Sequence, residues 1–328
     1  MARLVLAGDV GGTKTNLGLF EVADDGKFKI VRHERYVTVE FITLEEVCLK
    51  FAAGARVEAA CMGVPGPIID GRAIATNVHW QMSEESLSRA FGGIKARLIN
   101  DLCVTAYGML YLLPEEMRVL NQIERSARGN IAVIAAGTGL GESALVNDNG
   151  DYHAVASEGG HSDFAPINDE QIELLRFLRA EFPDHVSFER VLSGPGISNI
   201  YRFQRKKSGV PEPGWLTKMI ASEDPAAAIS DAAREAKDDV CVATLTMFAE
   251  IYGAEASNLG LKVLALGGIY LGGGIAPKVL PFLTGGAFIR GFFSKGRMNA
   301  MLRQIEVRVS LNPGAALSGA AHSAAALL

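Results

Sequence analysis

Cysteine is scarce in this chain. Four occur in 328 residues, at Cys48, Cys61, Cys103 and Cys241, and none has a CxxC spacing. That pattern excludes a disulfide scaffold and a cysteine-built zinc site, and points to reduced, mostly buried thiols in a cytosolic protein. Excess positive charge is missing too. With 32 Lys and Arg against 37 Asp and Glu, the formal net charge is -5, which gives neither nucleic acid nor an anionic membrane a basic surface to bind. The opening MARLVLAGD holds too short an apolar stretch for a signal peptide and is expected to run directly into the fold. The segment Leu259–Pro277 imitates a membrane span only if its glycines count as apolar, and it carries Lys262. A buried strand ending in a glycine loop fits it better. The first strand is expected to begin at Leu4, which would leave no room ahead of it for a helix-turn-helix.

What the chain does have is glycine, 36 residues of it, in a body that is 48% hydrophobic and 21% charged. This is the composition of a globular protein, and the length exceeds what one core usually supports, so two domains are expected. RLVLAGDV and TNLGLFEV read as strands around a Gly-Gly bend, and FKIVRHERYV as a third. TLEEVCLKFAAG has helical spacing, RVEAACMGVPG returns to a buried strand, and a short hairpin turns at Asp70-Gly71. A helix near SEESLSRAFGG and the strand KARLIND follow. This alternation predicts an α/β architecture with a mixed sheet. NIAVIAAGTGLGESALV then repeats strand, glycine bend and strand, which implies domain duplication rather than a solenoid. Residues 171–249 read as mainly helical, with a polar break at RKKSGVPEPGW, and the chain closes on a strand, a Pro-Gly turn and an Ala-rich helix.

The first bend, Gly8-Asp9-Val10-Gly11-Gly12-Thr13, has the makings of an anion cradle. Glycines leave backbone N–H groups uncovered, and Thr13 adds a hydroxyl. Asp9 would repel a phosphate unless a divalent cation lay between them, directly or through water. An ordinary hairpin with an Asx turn is the plainer alternative. The second bend, Gly137-Thr138-Gly139, lacks the GxxxxGK[ST] of a P-loop, but a matching turn in each domain could grip a polyphosphate from two sides. The cluster GGGIAPK, with Gly273 and Gly274, could let a flat adenine lie against the backbone, or could simply be a helix start near Pro277.

Asn100 and Asp101 stand where an apolar strand ends. One role is capping of the following helix, and another is recognition of a vicinal hydroxyl pair by a group that donates and accepts beside one that only accepts. Glu158 and His161 flank two glycines in SEGGHSDFAP, a loop that reads as too flexible for structure alone. A metal site of His161 and Asp163 fits no known ligand spacing. Glu189 lies near a helix start, where a capping box with Ser187 or a helix-dipole acid would also place it.

Taken in order, GDVGGT, CMGVPGP, TNVHW, LINDL, AGTGLGES, SEGGHSDFAP, ERVLSGPGISNIY and GGGI resemble the motif series of bacterial glucokinases. That family belongs to the sugar kinase, Hsp70 and actin superfamily, outside the ROK kinases, whose cysteine-rich zinc motif is absent here. The resemblance spans nearly the whole chain. It implies a two-domain actin-like ATPase fold of the ribonuclease H-like kind, mixed sheets flanked by helices around an interdomain cleft. Residues 1–109 and 312–328 would form the small domain and 110–311 the large one. It further implies a cytoplasmic homodimer that transfers phosphate from ATP, with Mg2+, to the 6-hydroxyl of glucose at the entry to glycolysis. Gly8 to Thr13 would hold the ATP phosphates, together with Gly137, Thr138, Gly139, Gly273 and Gly274, and Asp9 would lie near the metal. Asp101 matches the family's catalytic base, and Asn100, Asp101, Glu158, His161 and Glu189 match its sugar contacts. Asn77 and Trp80 fall in a family signature without an assigned role.

Two residues depart from the pattern. Lys14 replaces the Asn of many such kinases; it could reach a phosphate or simply be solvated, the commoner case for a surface Lys. Glu142 replaces a small residue, and because a carboxylate beside a phosphate would weaken ATP binding it is expected to point away from the nucleotide. A kinase for mannose or an N-acetylated sugar shares every argument but pocket shape. A nucleotide-switched sugar-binding protein would need the phosphate loops but not the full polar set.

Overall fold

The computed structural model describes residues 3–24, 26–73, 78–123 and 128–328. The chain divides into two compact units. One comprises Met1–Pro114, Ala154–Ala156 and Asn312–Leu328, and the other Glu115–His153 and Ser157–Leu311.

In the first unit a five-stranded sheet runs in the order Phe28–Val37, Lys14–Val22, Arg3–Val10, Ala59–Val64, Lys95–Asn100. The first three strands are antiparallel neighbours, and the last three are parallel. Ala59–Val64 is buried at every position, as a parallel strand covered on both faces must be. One face packs on the helix Leu44–Ala52, with Val47, Phe51, Leu6 and Met62 in a common core. The helices Asp101–Met109 and Ala315–Ala325 lie together against the other face. Gly108 and Gly319 permit that close crossing. A Cβ on Gly108 would sit 1.9 Å from the Ala315 carbonyl oxygen, and one on Gly319 would sit 1.9 Å from that of Val104.

The second unit repeats the plan. Leu140–Asp148 and Ile131–Ala136 form an antiparallel hairpin, and Gly268–Gly272 and then Val307–Ser310 add in parallel. Asp151–Ser157 and Met117–Val119 complete a sheet of six. The duplication read from the two glycine bends is therefore a repeat of hairpin plus parallel strands. Its main covering helix, Asp239–Val263, is buried along most of its 25 residues and starts at Asp238, whose carboxylate accepts from Cys241 N at 2.9 Å.

That helix corrects one expectation. Leu259–Val263 are its last turns, not part of a strand, and the strand that leads to the glycine loop is only Gly268–Gly272. A helix apolar on every side shows no 3.6-residue stripe, which hid it. Among the described residues no helix is long and apolar enough to cross a membrane. Trp80 is a core residue whose Nε1 donates to the Phe41 carbonyl at 2.9 Å, and Asn77 lies outside the described residues.

Candidate active site

In the first unit the site candidates gather at the carboxyl ends of the parallel strands, where open α/β sheets bind ligands. Asp9 pairs with Gly63, and Val64 pairs with Asn100, so Asp9 and Asn100 stand two strand spacings apart, about 10 Å. The turn after Asp9 closes with Gly11 N donating to the Lys14 carbonyl at 2.9 Å. Thr38 braces it, its Oγ1 donating to the Gly11 carbonyl at 2.7 Å and its N–H to that of Thr13. Among the described residues none accepts the Gly12 or Thr13 N–H. These two amides are what an anion would find, while Lys14 is exposed.

Gly8 has a different part. It is buried in the strand, and a Cβ there would meet Met62 Sδ at 2.3 Å, so its glycine serves packing beneath the turn. Gly11 is not in the left-handed region either. It is small because a Cβ would crowd the Lys14 carbonyl at 3.1 Å. Asp9 accepts from Asn16 Nδ2 at 3.1 Å. Burial pushes its carboxyl above the ordinary range, against the pull of Asn16 and Arg35, so its negative charge is costly in the absence of a cation.

Asn100, not Asp101, caps the helix Asp101–Met109. Its Oδ1 accepts from Leu102 N at 3.0 Å and Cys103 N at 3.3 Å. Its Nδ2 donates to the Gly66 carbonyl at 3.3 Å, which leaves a second N–H on the same nitrogen for a ligand. With Asn100 as the cap, Asp101 becomes the first helical residue, and its Oδ1 also accepts from Leu102 N, at 2.8 Å. The helix N-terminus thereby fixes the carboxylate and favours its charge.

In the second unit the loop 136–140 is the hub. At one end the Ala136 carbonyl accepts from Ile275 N at 3.2 Å, and a Cβ on Gly273 would fall 2.2 Å from the same oxygen. Gly273 also has φ of +77°, so glycine is required there twice over. GGGIAPK is a run of turns, and the next helix begins only at Leu280, so Pro277 does not start it. The Gly137 carbonyl accepts from Gly194 N at 2.9 Å, which ties the hub to SGPG, a contact that sequence spacing could not reveal.

At the other end Leu140 N donates to Glu189 Oε2 at 2.9 Å. The capping box of Glu189 with Ser187 does not form. Ser187 makes no side-chain cap, and the acid is committed to the hub instead. Gly160 packs on Leu140, where a Cβ would lie 2.0 Å from the carbonyl oxygen. The SEGGH loop is therefore a packed 3-10 turn, Gly159–His161, rather than a flexible one. It presents Glu158 and His161 outward, both exposed. His161, Glu189, Ser187, His185 and Asp184 line a cavity of about 380 Å³, large enough for a small polar ligand. Asp163 pairs with His185 at 3.0 Å, and among the described residues no group of three or more acidic, His or Cys side chains could hold a metal ion. Glu142 is turned inward and is 1% exposed.

The doubled hairpin-and-parallel-strand sheets, with glycine turns at their carboxyl ends, define an actin-like ATPase fold of the sugar-kinase class. A ROK family glucokinase from Streptomyces griseus, solved in complex with glucose and AMPPNP, shares this fold at a TM-score of 0.67 over 98% of this chain and 99% of that one, with 21% identity. A glucokinase from an Antarctic psychrotroph superposes with a TM-score of 0.85 at 32% identity, covering 98% and 99% of the two chains. The glucokinase of Nostoc punctiforme is 39% identical over 99% of both sequences. The glucokinase family profile matches residues 6–327. This chain belongs to the glucokinase family.

Proposed function

We infer that this chain catalyses the ATP-dependent phosphorylation of D-glucose to glucose 6-phosphate. The observation that carries the reading is membership of the glucokinase family from residue 6 to residue 327. In this reading Asn100, Asp101, Glu158, His161 and Glu189 are the sugar-binding residues, and Gly8 to Thr13, Gly137, Thr138, Gly139, Gly273 and Gly274 are the nucleotide-binding ones.

Phosphoryl transfer through a loose transition state asks mainly for positioning and charge neutralisation. Asp101 accepts the proton of the 6-hydroxyl as that oxygen bonds to the γ-phosphorus, and the bond to the bridging oxygen breaks to release ADP. A base so placed contributes ~10²–10⁴-fold. Hydrogen bonds from the other hydroxyls to charged groups are worth roughly 1.5–3 kcal/mol each. A sugar lacking one hydroxyl strands a buried polar group and is rejected accordingly. Asp9 suits Mg2+, directly or through water, because a cation would relieve the cost of its buried charge. The ion, when bound, neutralises phosphate charge.

The four described thiols are buried and free, and the net charge is negative. The free thiols fit a reducing, cytoplasmic compartment, and the negative charge offers no basic surface to nucleic acid or an anionic membrane. Glucose 6-phosphate as product would place the enzyme at the entry to glycolysis, and sedimentation would test the homodimer. The deciding experiment supplies Mg2+-ATP with glucose, mannose, fructose, 2-deoxyglucose and N-acetylglucosamine, follows ADP, and assigns the phosphorylated oxygen by NMR. Glucose-dependent ADP with phosphate on the 6-oxygen is the expected result. Preference for another hexose would reassign the substrate, and no ADP with any sugar would overturn the kinase reading with ATP.

A further inference from the structure

Beneath the 157–161 loop, Glu142 and Glu255 bring two carboxyl groups together in the interior. Glu142 is 1% exposed and Glu255 0%. They interact directly, yet the Oε1 atom of each is buried with no hydrogen-bond partner among the described groups. Two ionised carboxylates so placed would repel, and Glu142 Oε1 would remain without a partner, while Glu255 Oε1 would have only the Lys262 ammonium at 3.5 Å. One proton resolves both problems, since a protonated carboxyl donates and its neighbour accepts.

The other groups around the pair decide which member is charged. From the helix Asp239–Val263, Asn258 Nδ2 donates to Glu255 Oε2 at 2.7 Å, and Lys262 Nζ lies 3.5 Å from Glu255 Oε1. Lys295, partly buried, adds its charge toward Glu255 from beyond the helix Ala287–Phe292. Tyr252 faces Glu142 from the long helix. Burial pushes the Glu255 carboxyl up as well, but Asn258 and Lys262 pull it back toward its charged form, and no such groups do so through hydrogen bonds to Glu142, so Glu142 is the member that keeps the proton. Burial first, and the charge of Glu255 second, push the Glu142 carboxyl up to about 8.

The pair is also in contact with the sugar-side loop. A Cβ on Gly159 would lie 2.2 Å from Glu142 Oε2, and Gly159 is not in the left-handed region. Its glycine is therefore there to let the Glu142 carboxyl through. Gly159 N in turn donates to Ser157 Oγ at 2.9 Å, at the base of the same loop.

We propose that Glu142 and Glu255 hold one proton between them, and that this singly charged, hydrogen-bonded pair positions the loop carrying Glu158 and His161 for glucose. The proposal rests on the reading of that loop as a glucose contact. Glu142 acts through Gly159 and is a positioning residue, not a catalytic one. Loss of the proton puts a second, unbalanced charge directly under the loop and displaces it.

The test is the pH profile of kcat and of the glucose KM in the wild type and in Glu142→Gln, which keeps shape and donor but cannot ionise. The expected wild-type KM rises as pH climbs past about 8, by up to ~tenfold per pH unit if only the protonated form binds, with kcat changing less. In Glu142→Gln the KM rise disappears, while activity at neutral pH and the melting temperature stay close to wild type. Infrared titration of the free protein gives a readout apart from activity. A carboxylic-acid C=O band present at neutral pH should fade on alkaline titration and be missing from Glu142→Gln. An identical KM rise in both proteins overturns the positioning role, and absence of the acid band at neutral pH overturns the shared proton. A wild type with no glucose-dependent ADP release at any pH sinks the underlying functional reading instead, and the band still decides whether the proton is shared.

Discussion

Gly139→Ala probes the link between the two halves of the second unit's site. A Cβ at residue 139 would lie 2.5 Å from Glu189 Oε2, and a comfortable contact needs ~1 Å more. The crowded atom is the tip of a flexible side chain, so it can swing away and the fold survives. It is also the atom that accepts from Leu140 N at 2.9 Å, and a shift of ~1 Å ends that hydrogen bond. A hydrogen bond to a charged group is worth roughly 1.5–3 kcal/mol, or ~10–160-fold in kcat/KM for glucose if the displaced carboxylate no longer meets the sugar. The assay is steady-state kinetics with glucose and ATP varied separately, beside a thermal melt. The expected result is a large loss in glucose kcat/KM with the fold retained and a melting temperature lowered by only several degrees, as the loss of one internal hydrogen bond requires. Gly137→Ala is the contrast, because its Cβ would enter open space. It should raise the KM for ATP and leave that for glucose unchanged. A Gly139→Ala enzyme within ~2-fold of wild type toward glucose would refute the claim that the Glu189–Leu140 bond organises the sugar side.

Three further expectations follow from the same geometry. Asp9→Asn should weaken the use of Mg2+-ATP yet stabilise the ligand-free protein. The raised Asp9 carboxyl contributes stability that is lost as pH rises from its unfolded toward its folded value, so the advantage of Asn in urea unfolding should grow over that interval; an equal or lower stability would contradict it. Gly160→Ala meets the rigid Leu140 carbonyl at 2.0 Å and should yield little soluble protein, and a fully active enzyme from this variant would be contrary evidence. Asp238→Asn keeps a cap for the long helix but leaves Arg205, whose side chain is 12% exposed, without its charge partner, for a loss of ~3–5 kcal/mol. Burial works to raise the Asp238 carboxyl, but Arg205 and the Cys241 N–H hold it below the usual range. Stability linked to it is therefore present above the unfolded value and lost as pH falls through the folded one. A wild-type unfolding curve from Asp238→Asn would contradict the assignment.

The hairpins were legible because a half-buried strand alternates and a glycine bend interrupts it, and both signals are local. The sheet plan of the two units follows from that repeat. The end of the helix Asp239–Val263 was not legible, since Leu259–Val263 are as apolar as the strand after them. At Asn100 and Asp101 either residue type caps a helix well, and only backbone geometry shows that Asn100 took the cap. Glycine misled in a consistent way. Gly8, Gly159 and Gly160 read as cradle or flexible loop, but each is small because a neighbouring atom occupies the place of its Cβ. The Glu189–Leu140 bond and the Glu142–Glu255 pair join residues far apart in sequence, where spacing carries no signal. Glu142 was visible only as an acid where a small residue was expected.

Asp101→Asn tests the central claim most directly. Glucose binding by calorimetry and turnover by ADP release would be measured on the same preparation. The account predicts glucose affinity close to wild type and a kcat lower by ~10²–10⁴-fold. A variant that binds glucose and turns over near the wild-type rate would remove Asp101 from the base role, and with it the mechanism proposed for this site.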